Sequence, residues 1–359
     1  MTRRERLMKC YSHEELDRPA VYSRTGFPGN DPSYDKLKAY LQDHSELKTG
    51  WGGLRETPYQ TEYYKEPHSE DFERHIAILH TPKGDLQCST LASLKGQPGM
   101  AETYFLKNRK DAEKYLSLPL PEVSGDVSSF FDAKKRIGDD GIVDVSLGMN
   151  PGGSVASLFG TDEFAIMSVM DRDILHELCQ REMKKIMNRL NFMLDNKIGP
   201  FFSMAGEEYI VPPIHGPIDF YDFNVKYDKP IIDLIHNSGG YIHIHCHGSV
   251  KKVFQGFIDM GVDVTHPFEA PPMGDITPHE AKELARGKMC LEGNIQINRM
   301  YEATPEEVRE ETEMLIQTVF DDHKDLILCP TASPYIRGKG EECFPQYKAM
   351  IDTVIEWNK

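Results

Sequence analysis

Tyr241-Ile-His-Ile-His-Cys-His-Gly248 places three imidazoles, His243, His245 and His247, at alternating positions of what reads as a short strand. Successive strand side chains point to opposite faces, so these histidines look one way while Ile242, Ile244 and Cys246 look the other. Three ligand-type groups aimed at one volume suggest a metal, and neutral imidazole is among the commonest protein ligands for zinc. A histidine in a strand can equally be a hydrogen-bonded core or rim residue. The third histidine, the strand-ending Gly248 and the acidic and cysteine residues downstream favour the metal.

Outward from this strand the chain alternates short apolar runs with amphipathic stretches. Strands are predicted at 142–147, 201–204, 241–246, 262–265, 289–291 and 326–328, with helices at 174–194, 251–260 and 305–320. The last helix opens Ala303-Thr-Pro-Glu-Glu-Val308, where Thr304 is a good N-cap, Pro305 fits the first helical position and Glu307 completes a capping box. Near the N-terminus a basic amphipathic helix at 2–8 and the turn Asp17-Arg-Pro-Ala-Val-Tyr22 lead into a first short strand. A helix at 33–41 then precedes a second strand at 47–51. Six strands and two make eight, the count of an α/β fold of the (β/α)8 TIM type. Residues 53–120 interrupt the pattern: Ala77-Ile-Leu-His-Thr-Pro-Lys-Gly-Asp-Leu86 reads as a hairpin about a Pro/Gly turn, followed by polar loops and a helical start at Lys110-Asp-Ala-Glu-Lys-Tyr115. The expectation is one barrel domain over 1–359, with this region inserted as a flap.

Composition narrows the function. With 359 residues and 39% hydrophobic content the chain can bury a substantial core. A net charge of -16 and a pI near 5.3 argue against nucleic acid or an anionic membrane surface as a partner. No long apolar run or apolar leader is seen, so a cytoplasmic protein is expected. The cysteines, Cys10, Cys88, Cys179, Cys246, Cys290, Cys329 and Cys343, are odd in number and lack framework spacing, which suggests reduced thiols with one or two free to be ligands.

In a (β/α)8 barrel, chemistry collects where strands end. After 201–204 come Glu208 and Tyr209, a carboxylate and a phenol beside Pro212-Pro213, although a solvated acidic loop would look the same. After 262–265 comes His266-Pro-Phe-Glu-Ala-Pro-Pro-Met-Gly-Asp275, where prolines stiffen the loop that carries Glu269. Glu292-Gly-Asn-Ile295 offers an acid and the amide of Asn294, and Cys329 supplies a thiol at the last exit. Two imidazoles, His245 and His247, with Glu269 and Cys329 would complete a four-coordinate zinc site built from separate strand ends.

At these residues the chain resembles the uroporphyrinogen decarboxylase superfamily, and more closely its corrinoid-dependent methyltransferase branch. The resemblance runs from Arg3-Arg-Glu-Arg-Leu7 and Leu16-Asp-Arg-Pro19, through Ser154-Val-Ala-Ser-Leu-Phe-Gly160 and His245-Cys-His-Gly248, to Gly293-Asn294 and Thr304-Pro-Glu-Glu-Val308. The decarboxylase reads its acidic tetrapyrrole with an Arg-Gln-Ala-Gly-Arg segment, but here Tyr22-Ser-Arg-Thr-Gly-Phe27 retains only Arg24 and Gly26. The methyltransferases bind zinc with a His-x-Cys-Gly strand end, a later Glu and a later Cys. Here His245 matches the His, His247 stands in the Cys position and Glu269 follows. Cys329 precedes the last ligand's place, where Ala332 falls.

Imidazole in place of thiolate makes the site less anionic and the metal a stronger Lewis acid, which suits an oxygen leaving group better than an incoming thiol. The resemblance therefore implies an O-demethylase component: a zinc enzyme that takes methyl from an aryl methyl ether and passes it to cobalamin on a separate corrinoid protein. Glu208, Tyr209 and Asn294 are then candidates for orienting the substrate or supplying a proton. No Asp-x-His-x-x-Gly carrier signature is present, so cobalamin should belong to the partner. Methylation of coenzyme M or homocysteine, porphyrinogen decarboxylation, a non-catalytic binding role and a homodimeric assembly all stay open.

Overall fold

The computed structural model describes residues 1–95 and 98–357; positions 96 and 97 of the expected flap, and 358 and 359, lie outside the described residues. Eight short strands form one parallel sheet: β1 (Ala20–Val21), β2 (Leu47–Trp51), β3 (Gly141–Met149), β4 (Phe201–Ala205), β5 (Tyr241–His245), β6 (Val264–His266), β7 (Cys290–Ile295) and β8 (Leu326–Pro330). Each pairs with the next in sequence from β2 to β8, and β8 returns to β1. This is the curled sheet of a TIM-like barrel, with every strand expected from the sequence in place.

Closure falls to Glu46. Its backbone N–H donates to the Val21 carbonyl at 2.9 Å, bridging β1 and β2. Its carboxylate, fully buried, accepts from the Val21 N–H at 2.6 Å, from Arg6 at 2.6 Å and from Arg18 at 2.9 Å. A two-residue strand has little ladder of its own, so this carboxylate supplies the missing attachment and ties the first helix, Arg3–Tyr11, to the seam.

The outward residues of the strands, among them Val145, Leu147, Ile242 and Ile244, are almost entirely shielded from solvent by the surrounding helices. Those helices start as the sequence expects. Thr304 and Glu307 form a reciprocal capping box on Pro305–Val319, and Thr2/Glu5 and Thr277/Glu280 repeat it. The expected helix at 251–260 is shorter, Phe254–Met260, because a turn precedes it.

The flap is larger than the expected hairpin. Phe72–Leu79 and Leu86–Ser93 do form that hairpin, but Thr61–Pro67 and Met100–Thr103 extend it to four antiparallel strands. Thr61–Pro67 is exposed almost throughout, so it lacks the apolar alternation that marks a strand in sequence. A second pair, Leu54–Glu56 with Val123–Gly125, closes the base of the insertion. Leu79, Leu86, Leu106 and Tyr115 anchor it against Phe159, Phe164 and Leu175 of the neighbouring helices. No helix among the described residues is long and apolar enough to cross a membrane.

Removing the Glu46 carboxylate strands two buried guanidinium contacts at the seam. Glu46→Ala should therefore lower stability by about 3–5 kcal/mol, read as a shift of the urea midpoint, and Glu46→Gln should lose less because it still accepts from Val21.

Candidate metal and substrate site

The strand periodicity that buries Ile242 and Ile244 outward turns His243 and His245 into the lumen, where they line a cavity of about 520 Å³ at the carboxyl ends of the strands. Its floor is charged. Lys48 from β2 and Glu292 from β7 form a buried ion pair across the barrel. Burial pushes the Glu292 carboxyl up, but Lys48 and His243 outweigh it and hold the group well below the usual carboxylate range. His243 Nε2 lies 3.5 Å from Glu292 Oε1, an electrostatic contact too long for a good hydrogen bond. The Lys48 ammonium also sits over the Tyr22 ring, 5.0 Å from its centroid. Burial, and then the Glu292 charge, raise the Tyr22 phenol, so it stays protonated.

At the mouth the hydrogen bonds fix the histidine tautomers. His266 Nε2 faces the Pro330 carbonyl at 3.2 Å; a carbonyl only accepts, so Nε2 carries the proton and Nδ1 the lone pair. Arg24 donates to that Nδ1 at 3.2 Å. His245 Nδ1, 2.9 Å from the same atom, must also donate, which leaves His245 Nε2 with a lone pair. Burial and the Arg24 charge push His245 down to about 3 and His266 well below the ordinary range, so both rings are neutral at physiological pH. His247 Nδ1 donates to Glu269 Oε2 at 2.9 Å, which in the neutral ring leaves its Nε2 free as well. The His245 and His247 rings stand 4.7 Å apart at 88°. Imidazoles with one nitrogen held by an acceptor and the other bearing a lone pair are the form that metal-ligating histidines take, so the donor set fits zinc.

The expected four ligands do not form one cluster. At the mouth His247 bonds Glu269 and its ring stands beside that of His245, whereas Cys329, fully buried on β8, groups with His266 and Glu292. Ligand atoms of those last three lie within 4.8 Å of one another, a nitrogen, oxygen and sulfur set that could hold zinc. In this arrangement His266 is engaged at both nitrogens and Glu292 by Lys48, and burial, then Glu292, push the Cys329 thiol up, so it is protonated.

Residues 155–333, which carry β4 to β8, match the family model of uroporphyrinogen decarboxylase (URO-D). The chain belongs to that family. No curated protein sequence matches it. Among solved structures, a methyltransferase from Methanosarcina mazei is similar over 100% of both chains, with a TM-score of 0.63 at 13% identity. A D-psicose 3-epimerase (TM-score 0.36, 10% identity, 65% of this chain and 92% of that one) is more distant. So is a dihydropteroate synthase from Anaplasma phagocytophilum (TM-score 0.33, 12% identity, 56% and 71%). At 13% identity the likeness to the methyltransferase is one of fold, and it covers the whole chain.

In this URO-D-like barrel, Glu208, Tyr209 and Asn294 stand apart from the cavity lining. The Glu208 carboxylate accepts from the Gly206 N–H at 3.0 Å, and Tyr209 is 39% exposed on the same short turn. Asn294 donates to the Phe268 carbonyl at 2.7 Å and so positions the loop that carries Glu269. Sequence reading gave no role to Tyr22, Lys48, Asp144 or His266; a charged residue inside a β-branched run, as at Asp144, was the available signal.

Two outcomes test this electrostatic picture. Lys48→Met should cost about 3–5 kcal/mol in chemical denaturation by leaving Glu292 buried and unpaired, and the double variant with Glu292→Leu should recover most of it. In metal-stripped protein, neutral His245 and His266 stabilise the fold above the unfolded pKa of about 6.5, and that contribution is lost as pH falls towards 3. His245→Asn should flatten the fall of the urea midpoint between pH 7 and pH 4.

Proposed function

We propose that this chain is a zinc-dependent methyltransferase that takes the methyl group of an aryl methyl ether and delivers it to cob(I)alamin on a separate corrinoid protein. The observation that carries the reading is the pair His245 and His247, each with one ring nitrogen engaged and a lone pair on the other, at the mouth of the lumen cavity. The full-length likeness to a protein described as a methyltransferase favours group transfer over decarboxylation. The corrinoid partner rests on the resemblance of the motifs.

His245 and His247 would hold the zinc, with Glu269 as third ligand or as orienting acceptor, and His266 fixes the His245 ring. Zinc, when bound, supplies Lewis acidity where an aryl oxide, a poor leaving group, departs. In the transfer the bond between methyl carbon and ether oxygen breaks, the oxygen keeps that electron pair and takes up a proton, and the carbon bonds to cobalt with the electron pair of Co(I). The Tyr22 hydroxyl, protonated and in the cavity wall, is placed to donate a hydrogen bond to a substrate oxygen. Lys48 and Glu292 close the lumen below.

The test is a spectral assay of cob(I)alamin conversion to methylcobalamin across methoxyarenes, methanol and methylamines, with metal analysis. Methoxyarenes should react and about one zinc should be bound per chain. His245→Ala and His247→Ala should each lose the zinc and more than a hundredfold in rate, and Glu269→Gln should weaken zinc about ten- to a hundredfold. Methyl transfer from methylcobalamin to coenzyme M or homocysteine, with methoxyarenes inert, would reverse the assignment of donor and acceptor.

A further inference from the structure

The flap sheet runs in the order Thr61–Pro67, Phe72–Leu79, Leu86–Ser93, Met100–Thr103, and its register fixes which side chains share a face. Tyr64 stands opposite Ile76, and Arg74 opposite Leu91, which in turn pairs with Met100. With a period of two along each strand, Tyr64, Phe72, Ile76, Ile78, Leu91 and Met100 lie on one face, and Ala77, Leu79, Leu86, Cys88 and Thr90 on the other. The second face is packed at one end, where Leu79 and Leu86 join the core beneath the flap. The first face is packed nowhere. Among the described residues Phe72, Ile76, Ile78 and Leu91 belong to neither apolar core, and Tyr64 and Met100 are 49% and 55% exposed. An antiparallel sheet is stable when one face is packed, so six large apolar side chains on the open face mark a surface that a partner covers.

We propose that this face stacks on the same face of a second copy of the chain, making a homodimer joined through the two flaps. Eight residues along the strands and four strands across span about 27 by 19 Å, roughly 500 Å² per copy, so a pair buries roughly 1,000 Å², where specific interfaces begin. Two sheets meet in this way in β-sandwiches, about 10 Å apart with their apolar side chains interdigitated. The cation on the face, Arg74, is already paired on its own sheet with Glu102 at 2.6 Å and Glu66 at 3.7 Å, so stacking brings no unpaired positive charge into the contact. A corrinoid carrier would have to leave after each methyl transfer and would bare the apolar face at every turnover, whereas a second copy can stay. The flap lies outside residues 155–333, which match the URO-D model, so the contact belongs to this insertion and not to the shared part of the barrel.

Sedimentation velocity and light scattering on the full chain test the proposal. Wild type at micromolar concentration should have twice the 40.9 kDa mass of one chain. A two-fold contact repeats every substitution, so Ile76→Glu puts two carboxylates at its centre and should weaken the dimer at least about a hundredfold. Tyr64→Glu, at a site too exposed in the single chain to matter for its folding, should weaken it at least about tenfold by the same doubling. Thr90→Glu, on the opposite face of the same sheet, should leave the dimer as in wild type. A wild type that stays monomeric at high micromolar concentration would overturn the proposal, as would a dimer that neither Ile76→Glu nor Tyr64→Glu weakens or that Thr90→Glu weakens equally. A monomer whose Ile76→Glu variant loses methyl transfer to the corrinoid protein would assign the face to the carrier instead and equally end the dimer.

Discussion

A charged pair fills the centre of this barrel, where bulky branched side chains usually pack. Lys48 and Glu292 face each other across the lumen from β2 and β7, both almost fully buried. Removing two charges from water costs more than their attraction returns unless further polar contacts complete the site, so such a pair is weak evidence of stability. Here the completion comes from His243 beside Glu292 and from the Tyr22 ring under the ammonium. The result is a polar floor that leaves a cavity above it, whereas leucines at the same positions would pack the lumen shut. The space for a ligand and the depressed Glu292 both follow from this one substitution of charge for bulk.

The mouth is organised by a different device, a relay of hydrogen bonds in which each group has one role open to it. The Pro330 carbonyl can only accept and the Arg24 guanidinium can only donate, so His266 between them has no choice of tautomer, and His245 inherits its own from His266. Glu269 does the same for His247, and Asn294 holds the loop on which Glu269 stands. Orientation therefore comes from residues on β6, β7, β8 and the turn after β1, while the two presented nitrogens come from β5 and the turn that follows it.

That division explains what the sequence could disclose. The strands from β3 to β8 were legible because each carries a short apolar or β-branched run bounded by turn residues, and His243 and His245 because period two is visible within five residues. Lys48 and Asp144 were not: one charged residue in a short strand does not say whether its face is lumen or surface until the barrel closes. Cys329 was legible as a strand-end thiol, but its company depends on the register that sets it beside Asn294 and brings it close to Glu292. The role of His266 depends on two partners more than sixty residues away in either direction, which no local pattern encodes. The outer flap strand, Thr61–Pro67, is held by its backbone ladder to Phe72–Leu79 and not by side-chain burial, so composition conceals it.

The acidic turn after β4 shows how local sequence can point to the right place for a different reason. Glu208 and Tyr209 lie outside the cavity lining, while their neighbour Glu207 is fully buried, with both carboxylate oxygens lacking a hydrogen-bond partner. Burial, and then nearby Asp228, push its carboxyl well above the usual range, and burial does the same to Asp228. Two such groups do not both ionise in one apolar pocket, so at least one keeps its proton. Asn150 donates to Asp228 and to Asn224, each at 2.9 Å, and Asn224 in turn reaches the Glu207 carbonyl at 3.3 Å. Gly153 and Gly206 let these backbones approach, since a Cβ at either would fall within 3 Å of Asn150 Oδ1. The turn is thereby fastened from behind by a polar network in which at least one carboxyl keeps its proton, so the wall of the cavity at Ala205 is set by packing beneath it and not by Glu208 and Tyr209, which first mark it in the sequence.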